Sequence, residues 1–302
     1  MRFRIGNQTS FAAPDLMSPF EYAVANRFDA FEWLPDKKYE GGWQESDINP
    51  ETREYIRQTA ALHDISLSVH APINFNPFMP DASEIIRNAA DFARQIGAWM
   101  MVIHLVTGHQ MDRGLPAYVE AVRPIINRLS AEGFRLAIEN TIYTGPKDIN
   151  ELFYLLRDER LDDKTVGMCL DIGHANLNSE TRNDYLEYVD ALGPHVPVTH
   201  VHMHENDGSS DSHLTVFTGP SAVNDAGIRG LVQRLVNRGF SGSIIMEQWP
   251  WPAELLVKAR DTLLEMVRES IRRTLCLKAG NIWEKTLGAK KQKNSDSKWM
   301  HD

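Results

Sequence analysis

The sequence predicts an α/β fold, a single (β/α)₈ barrel followed by a polar C-terminal tail. Three observations carry this. Short apolar runs of β type alternate with helix-like segments through residue 275, as expected of parallel strands buried on both faces and joined by crossover helices. Six successive runs end in an acid or an imidazole: His70, His104, Glu139, Asp171, His202 and Glu247. They recur at roughly 30 to 45 residues, the length of one βα unit in a barrel whose strand ends share one mouth.

Strands are expected near 2–6 (RFRIG), 30–34 (AFEWL), 66–70, 99–104, 134–139, 166–171, 197–203 and 242–247, each bounded by Gly, Pro, Asp or Asn. Residues 50–63, 82–97, 115–131, 147–157, 178–191, 223–238 and 252–275 carry helical spacing. In 82–97, Ile85, Ile86, Ala89, Ala90 and Phe92 form an apolar stripe and Gly97 serves as C-cap. In 115–131, Pro116 occupies the first turn, and Val119, Val122, Ile125, Ile126 and Leu129 recur. Residues 1–275 therefore read as one barrel. Residues 276–302, ending in EKTLGAKKQKNSDSKWMHD, read as a polar extension. It is expected to be flexible; the alternative is an arm docked at an oligomer interface through Trp283 or Trp299.

The chain has 302 residues, 42% hydrophobic and 24% charged, an ordinary globular composition with length for one large domain. A net charge of −9 and a pI of about 5.7 give no support to a nucleic-acid partner. Cys169 and Cys276 are too few for a disulfide framework, and Cys169, inside an apolar run, is expected as a small buried hydrophobe. No run approaches the ~18 apolar residues of a membrane span. The start, MRFRIGNQTSF, lacks the apolar core of a secretory signal. The expectation is a cytoplasmic protein with no membrane partner.

In a parallel barrel, residues at strand C-termini point into one mouth. Glu139, Asp171 and Glu247 would then repel one another and raise one another's pKa, a cost that a divalent cation removes. His, Asp and Glu are its ordinary ligands. Further candidates surround the six. His174 lies three residues after Asp171, in the loop where the next helix should begin. Asp211 and His213 form a D-x-H pair after strand seven. His200, His202 and His204, at spacing two, lie on one side of an extended strand. With a rise of roughly 3.3 Å per residue, these three cannot all reach one ion. His200 is expected deeper, as a hydrogen-bonding residue or a ligand, and His204 at the rim. Glu32, near the end of strand two, either orients substrate or pairs with a nearby base. Trp33, Trp43, Phe75, Phe78, Trp249 and Trp251 either wall the mouth, as suits a sugar ring, or pack loops over the barrel top. His109, in a loop, is expected to be solvated.

In SVHAP, IENT, CLDIGHAN, HMHEND with its DSH, and IIMEQ, residues 1–275 resemble the xylose-isomerase-like TIM barrels. That superfamily contains sugar and sugar-phosphate isomerases and epimerases, and also endonuclease IV. The resemblance to the isomerases implies one divalent ion (Mn²⁺, Mg²⁺, Co²⁺ or Zn²⁺) held by Glu139, Asp171, His202 and Glu247. Glu139 and Glu247 would also move protons through an enediolate. The resemblance to endonuclease IV implies three zinc ions with nine ligands, and each has a candidate: His70, His104, Glu139, Asp171, His174, His202, Asp211, His213 and Glu247. Against that branch, His104 is followed by LVTG rather than Pro-Gly, Glu139 by NTIYTG rather than NTAGQG, and Asp171 by IGHAN rather than TCHAF. The loop after strand seven is closer to the isomerases, with TGP (Thr218, Gly219, Pro220) in place of the usual Gly-Glu-Gly. Basic loops with wedge residues that open a duplex are not evident. The sequence thus implies a metal-dependent isomerase or epimerase of a small carbohydrate, with Glu32, His200 and Trp249 beside the substrate. A trinuclear phosphodiesterase is the second expectation, and a metal- or sugar-binding sensor the third. Barrels of this type often pair, so a homo-oligomer is compatible.

Overall fold

The structure, a computed structural model, describes residues 2–36, 42–106, 114–159, 161 and 164–296, with side chains described through residue 277. His109, Trp299 and the side chain of Trp283 lie outside the described residues. Eight parallel strands close into a barrel in sequence order, β8 pairing back onto β1. They are β1 (Phe3–Gln8), β2 (Ala30–Trp33), β3 (Ser66–His70), β4 (Met100–His104), β5 (Arg135–Glu139), β6 (Val166–Asp171), β7 (Val198–Met203) and β8 (Gly242–Met246). The surrounding helices are α1 (Ser18–Ala25), α2 (Pro50–Leu62), α3 (Ala82–Ile96), α4 (Gly114–Ala131), α5 (Pro146–Asp158), α6 (Ile172–Leu177), α7 (Tyr185–Ala191), α8 (Ala226–Asn237) and α9 (Glu254–Asp296). The chain therefore continues helical past residue 275. Among the described residues, no helix is long and apolar enough to cross a membrane.

Local chemistry sets these boundaries. Asn49 caps α2 by accepting from the amide of Thr52 at 2.8 Å, with Pro50 in the first turn. Gly97 ends α3 at φ 80, a left-handed conformation that favours glycine. On β1, a Cβ at Gly6 would stand 2.1 Å from the Ala30 carbonyl oxygen, so glycine lets β1 and β2 approach.

Two helical expectations need correction. Helix α1 is absent from the expected set, because eight residues opening on Ser-Pro carry too few turns to display a period. Of the expected helix over 178–191 only Tyr185–Ala191 is helical, and a separate short helix, α6, precedes the range. Asp171 caps α6 directly at the end of β6, its Oδ1 accepting from the amide of His174 at 2.6 Å. The chain leaves the helix at Asn178 and restarts at Tyr185 under an Asp184 cap. His174 is therefore helical, not in a preceding loop.

Strand alternation divides the apolar residues. Met100, Val102, Ala137 and Cys169 form a small cluster of their own. Met101, Ile103, Leu136, Ile138 and Leu170 belong to the main core. With period two, His104, Glu139 and Asp171 continue the inward rows of the first cluster, one step nearer the strand C-termini. Trp33 and Trp43 pack edge-on with Phe92 of α3, at centroid distances of 5.7 to 6.1 Å, and both are buried. For these two rings, packing rather than a place at the mouth is what the structure shows.

Candidate metal centre

Glu139, at the end of β5, is the hub of the site. Its Oε2 lies 3.0 Å from Nε2 of His70 and 3.2 Å from Nδ1 of His202. Its Oε1 lies 3.5 Å from Nε2 of His104 and 3.4 Å from Nδ1 of His174. The carboxylate thus stands between two pairs of imidazoles. Nδ1 of His202 is also 3.2 Å from Oε1 of Glu247, which sits one residue beyond β8. Asp171 joins through His174, 3.6 Å from its Oδ2, and through His204, whose Nε2 is 3.2 Å away. Oδ2 of Asp211 is 3.3 Å from Nε2 of His174 and 3.3 Å from Nε2 of His213. All nine donors implied by the resemblance lie in one connected basin.

Backbone and buried carboxylates orient the rings. Nδ1–H of His104 donates to the Ile73 carbonyl at 3.0 Å, and that of His174 to the Asn140 carbonyl at 2.9 Å. His70 pairs its Nδ1 with the Ala71 carbonyl in the same way. A ring whose Nδ1 holds the proton presents an Nε2 lone pair, and here each Nε2 faces a carboxylate. His202 is reversed. Its Nε2–H donates to Oε1 of Glu32 at 2.8 Å, which turns Nδ1 towards Glu139 and Glu247. The other oxygen of Glu32 accepts from Nε2–H of His200 at 3.0 Å and from Ser68 Oγ at 2.7 Å. Glu32 and His200 are buried, with every oxygen of Glu32 engaged. A metal-binding imidazole is commonly fixed by such a carboxylate behind it.

The loop after β7 is pinned independently. Glu205 and Leu214 exchange two backbone hydrogen bonds of 2.8 Å. The Glu205 carboxylate accepts from the amides of Gly219 and Ser221, holding the TGP turn. Between these pins the loop presents Asp211 and His213, the latter with a left-handed φ of 44.

Opposed charges dominate the titration. Burial raises the Glu139 carboxyl, but His202 and His104 more than offset it and hold it well below the usual range. Burial likewise raises Glu32, and His202 and His200 bring it well below. Glu247 goes the other way: burial, with Asp171 and Glu139 nearby, pushes it well above the usual range despite His202. Burial disfavours protonated His174, yet Asp171 and Asp211 lift it well above an ordinary imidazole. His213 rises to about 9, Asp211 outweighing burial.

The donor set fits a divalent cation. Ligand atoms about 2.1 Å from a shared ion, set at tetrahedral to octahedral angles, lie roughly 3.0–3.4 Å apart. The contacts just described fall in or close to that range. Nδ1 of His202 is buried and has no hydrogen-bond partner among the described residues, although two carboxylates flank it at 3.2 Å. Three-donor sets within 4.8 Å recur as His70–Glu139–His202, Glu32–His202–Glu247, Asp171–His174–His204 and His204–Asp211–His213.

Sequence reasoning missed two residues here. His204 is buried, not at the rim. Asn140, in the IENT run, had no assigned role, yet its side chain fixes Asp171. Of the aromatic candidates, Trp249 is half-buried edge-on against Tyr22 at 5.4 Å, Phe75 is buried, and Trp251 is 94% exposed.

Fold and donors together define a (β/α)₈ barrel with a buried His/Asp/Glu centre suited to a divalent metal. The chain belongs to the xylose isomerase-like TIM barrel family, whose profile matches residues 20–267. Uncharacterized protein MJ1311 of Methanocaldococcus jannaschii is 24% identical over 289 residues, covering 90% of this chain and 92% of that protein. Among solved structures, a D-tagatose 3-epimerase-like protein superposes with a TM-score of 0.67 at 20% identity, covering 91% of this chain and all of that one. Endonuclease IV from Thermus thermophilus gives 0.59 at 20% identity, over 89% and 99% of the two chains. These structural likenesses are likenesses of fold.

Proposed function

We propose that the protein is a divalent-metal-dependent isomerase or epimerase of a sugar or sugar phosphate. One observation carries this most: Nδ1 of His202 stands 3.2 Å from both Glu139 and Glu247, so one donor position is flanked by two carboxylates. Glu139, Asp171, His202 and Glu247 would hold the ion (Mn²⁺, Mg²⁺, Co²⁺ or Zn²⁺), which supplies a Lewis acid beside the substrate carbonyl. Glu139 and Glu247 remove and return the proton on the neighbouring carbon. His104 and His174, 18% and 13% exposed at the side chain, are both raised by neighbouring carboxylates and, as imidazolium rings, would donate Nε2–H to substrate oxygens. Trp249, two residues beyond Glu247, would contact the substrate. Glu32 and His200, engaged beneath the ring of His202, act by positioning it rather than by touching substrate.

The test is proton–deuterium exchange into a panel of ketoses and aldoses and their phosphates in D₂O, with the metal-loaded protein. Exchange at the carbon beside the carbonyl, abolished in Glu139→Gln, is the expected result. No exchange across the panel, together with cleavage of abasic-site DNA, would overturn the proposal.

A second reading, a phosphodiesterase with a trinuclear zinc site, is favoured by Glu139 itself. Its two oxygens face different donor nitrogens, Oε2 the Nε2 of His70 and Nδ1 of His202, and Oε1 the Nε2 of His104, so residues able to hold more than one ion would meet at this carboxylate. Metal content after purification without added metal separates the two: zinc near three per chain supports the phosphodiesterase, a single exchangeable ion the isomerase. The location proposed with either is the cytoplasm, consistent with two free cysteines.

A further inference from the structure

His204 belongs to none of the ligand sets implied by the family resemblance, yet it lies inside the basin. Its Nε2 is 3.2 Å from Oδ2 of Asp171, 3.7 Å from Oδ1 of Asp211 and 3.7 Å from Oε2 of Glu247. Three carboxylates on three different elements therefore converge on one nitrogen. The ring's other nitrogen, Nδ1, is buried without a hydrogen-bond partner among the described residues. Unlike His70, His104 and His174, this ring is not oriented by a backbone carbonyl.

Packing orients it instead. One face stacks on His213, with centroids 3.9 Å apart and planes 7° from parallel. The ring also fills the space over Gly173 in α6, where an added Cβ would stand 1.9 Å from Cε1 and 2.4 Å from Nε2 of His204. Any residue but glycine at position 173 would push the imidazole off the carboxylates. In CLDIGHAN, the residue two places after Asp171 thus leaves the room that the histidine two places after His202 occupies.

We propose that His204 is an additional metal-ligating residue of this centre, on the side of Asp171 and Asp211, and that Gly173 is the residue that admits its ring. With Asp171 and His174 it forms one three-donor set and with Asp211 and His213 another. It shifts that half of the basin from oxygen towards nitrogen donors, which favours Zn²⁺ and Co²⁺ over Mg²⁺ there. The inference rests on the reading that the basin binds a divalent cation, and deepens it.

The test is Co²⁺ titration of the metal-free protein, followed by calorimetry and by visible absorption. His204→Phe keeps a flat ring against His213 but has no nitrogen. It should bind fewer Co²⁺ per chain or, where a single ion is held, bind that ion at least about tenfold less tightly; where several are held, the tightest keeps its affinity. Gly173→Ala should show the same selective loss. Combined with His204→Ala, where the ring is gone, it should add nothing further. If His204→Phe binds Co²⁺ as the parent does, the ring is packing only and the inference is wrong. Should that variant fail to fold, as read from metal-free melting, His204→Ala answers the same question by leaving a void instead of strain. A parent protein that takes up no Co²⁺ at all sinks the proposed function as well, so the two failures are distinguishable.

Discussion

The side chain of Asn140 grips the backbone of Asp171 at both ends. Its Nδ2 donates to the Asp171 carbonyl at 2.9 Å, and its Oδ1 accepts from the Asp171 amide at 2.8 Å. Asp171 is at once the last residue of β6, the cap of α6 and a candidate ligand. One amide side chain from the residue just past the neighbouring strand therefore fixes the point where strand, helix and site meet.

Asn140→Ala would leave the Asp171 amide buried without that acceptor, while the Asp171 carbonyl keeps the first hydrogen bond of α6. The expected cost is about 1–3 kcal/mol of stability, read by urea denaturation of the metal-free protein. Metal affinity should fall in parallel, because the Asp171 carboxylate loses its fixed origin. Unchanged stability would show that water replaces the clamp.

Glu32→Gln separates positioning from substrate contact. The neutral amide cannot accept from both imidazoles as the carboxylate does, so the orientation of His202 loosens. Metal affinity should drop on the order of 10–100-fold. At saturating metal kcat should fall with little change in KM. A rise in KM alone would mean that Glu32 reaches substrate after all.

Metal uptake should release protons. Glu247, His174 and His213 are all raised, His213 to about 9, so in the metal-free protein they hold protons below those values. A cation must displace them, so affinity rises with pH and falls as pH drops, by about tenfold per pH unit for each proton displaced. Calorimetry in buffers of different ionisation enthalpy measures the number. Equal apparent enthalpies in all buffers between pH 6 and 8 would contradict it.

Asp211→Ala distinguishes the reaction classes. In a single-ion isomerase, Asp211 lies outside the set of Glu139, Asp171, His202 and Glu247, and deuterium exchange should survive largely intact. In a clustered phosphodiesterase it holds an ion with His174 and His213, and hydrolysis should fall on the order of 100-fold or more.

Much of this architecture is legible in the sequence. The strand ends at His70, His104, Glu139 and Asp171, and His202 one residue before the end of β7, announce themselves because a short apolar run closes on a polar residue. Depth is not legible. Glu32 closes an apolar run much as His70 does, but β2 pairs Glu32 with Ser68, two residues short of His70. Stagger between strands, invisible along the chain, sinks it beneath the site. His204 is missed for a related reason: its burial depends on a void at Gly173 contributed by another element. For Trp33, alternation decides between the two readings in favour of packing. Glu32 points in, so Trp33, next to it, points out to α3.

The backbone clip between Glu205 and Leu214 makes the Asp211–His213 stretch a detachable cassette. The eight strands and their own ligands would close without it, since the loop's two ends meet each other before they meet the barrel. Descendants of this scaffold could therefore trade the number of ions they carry, and with it their chemistry, by exchanging a single loop while every strand stays as it is.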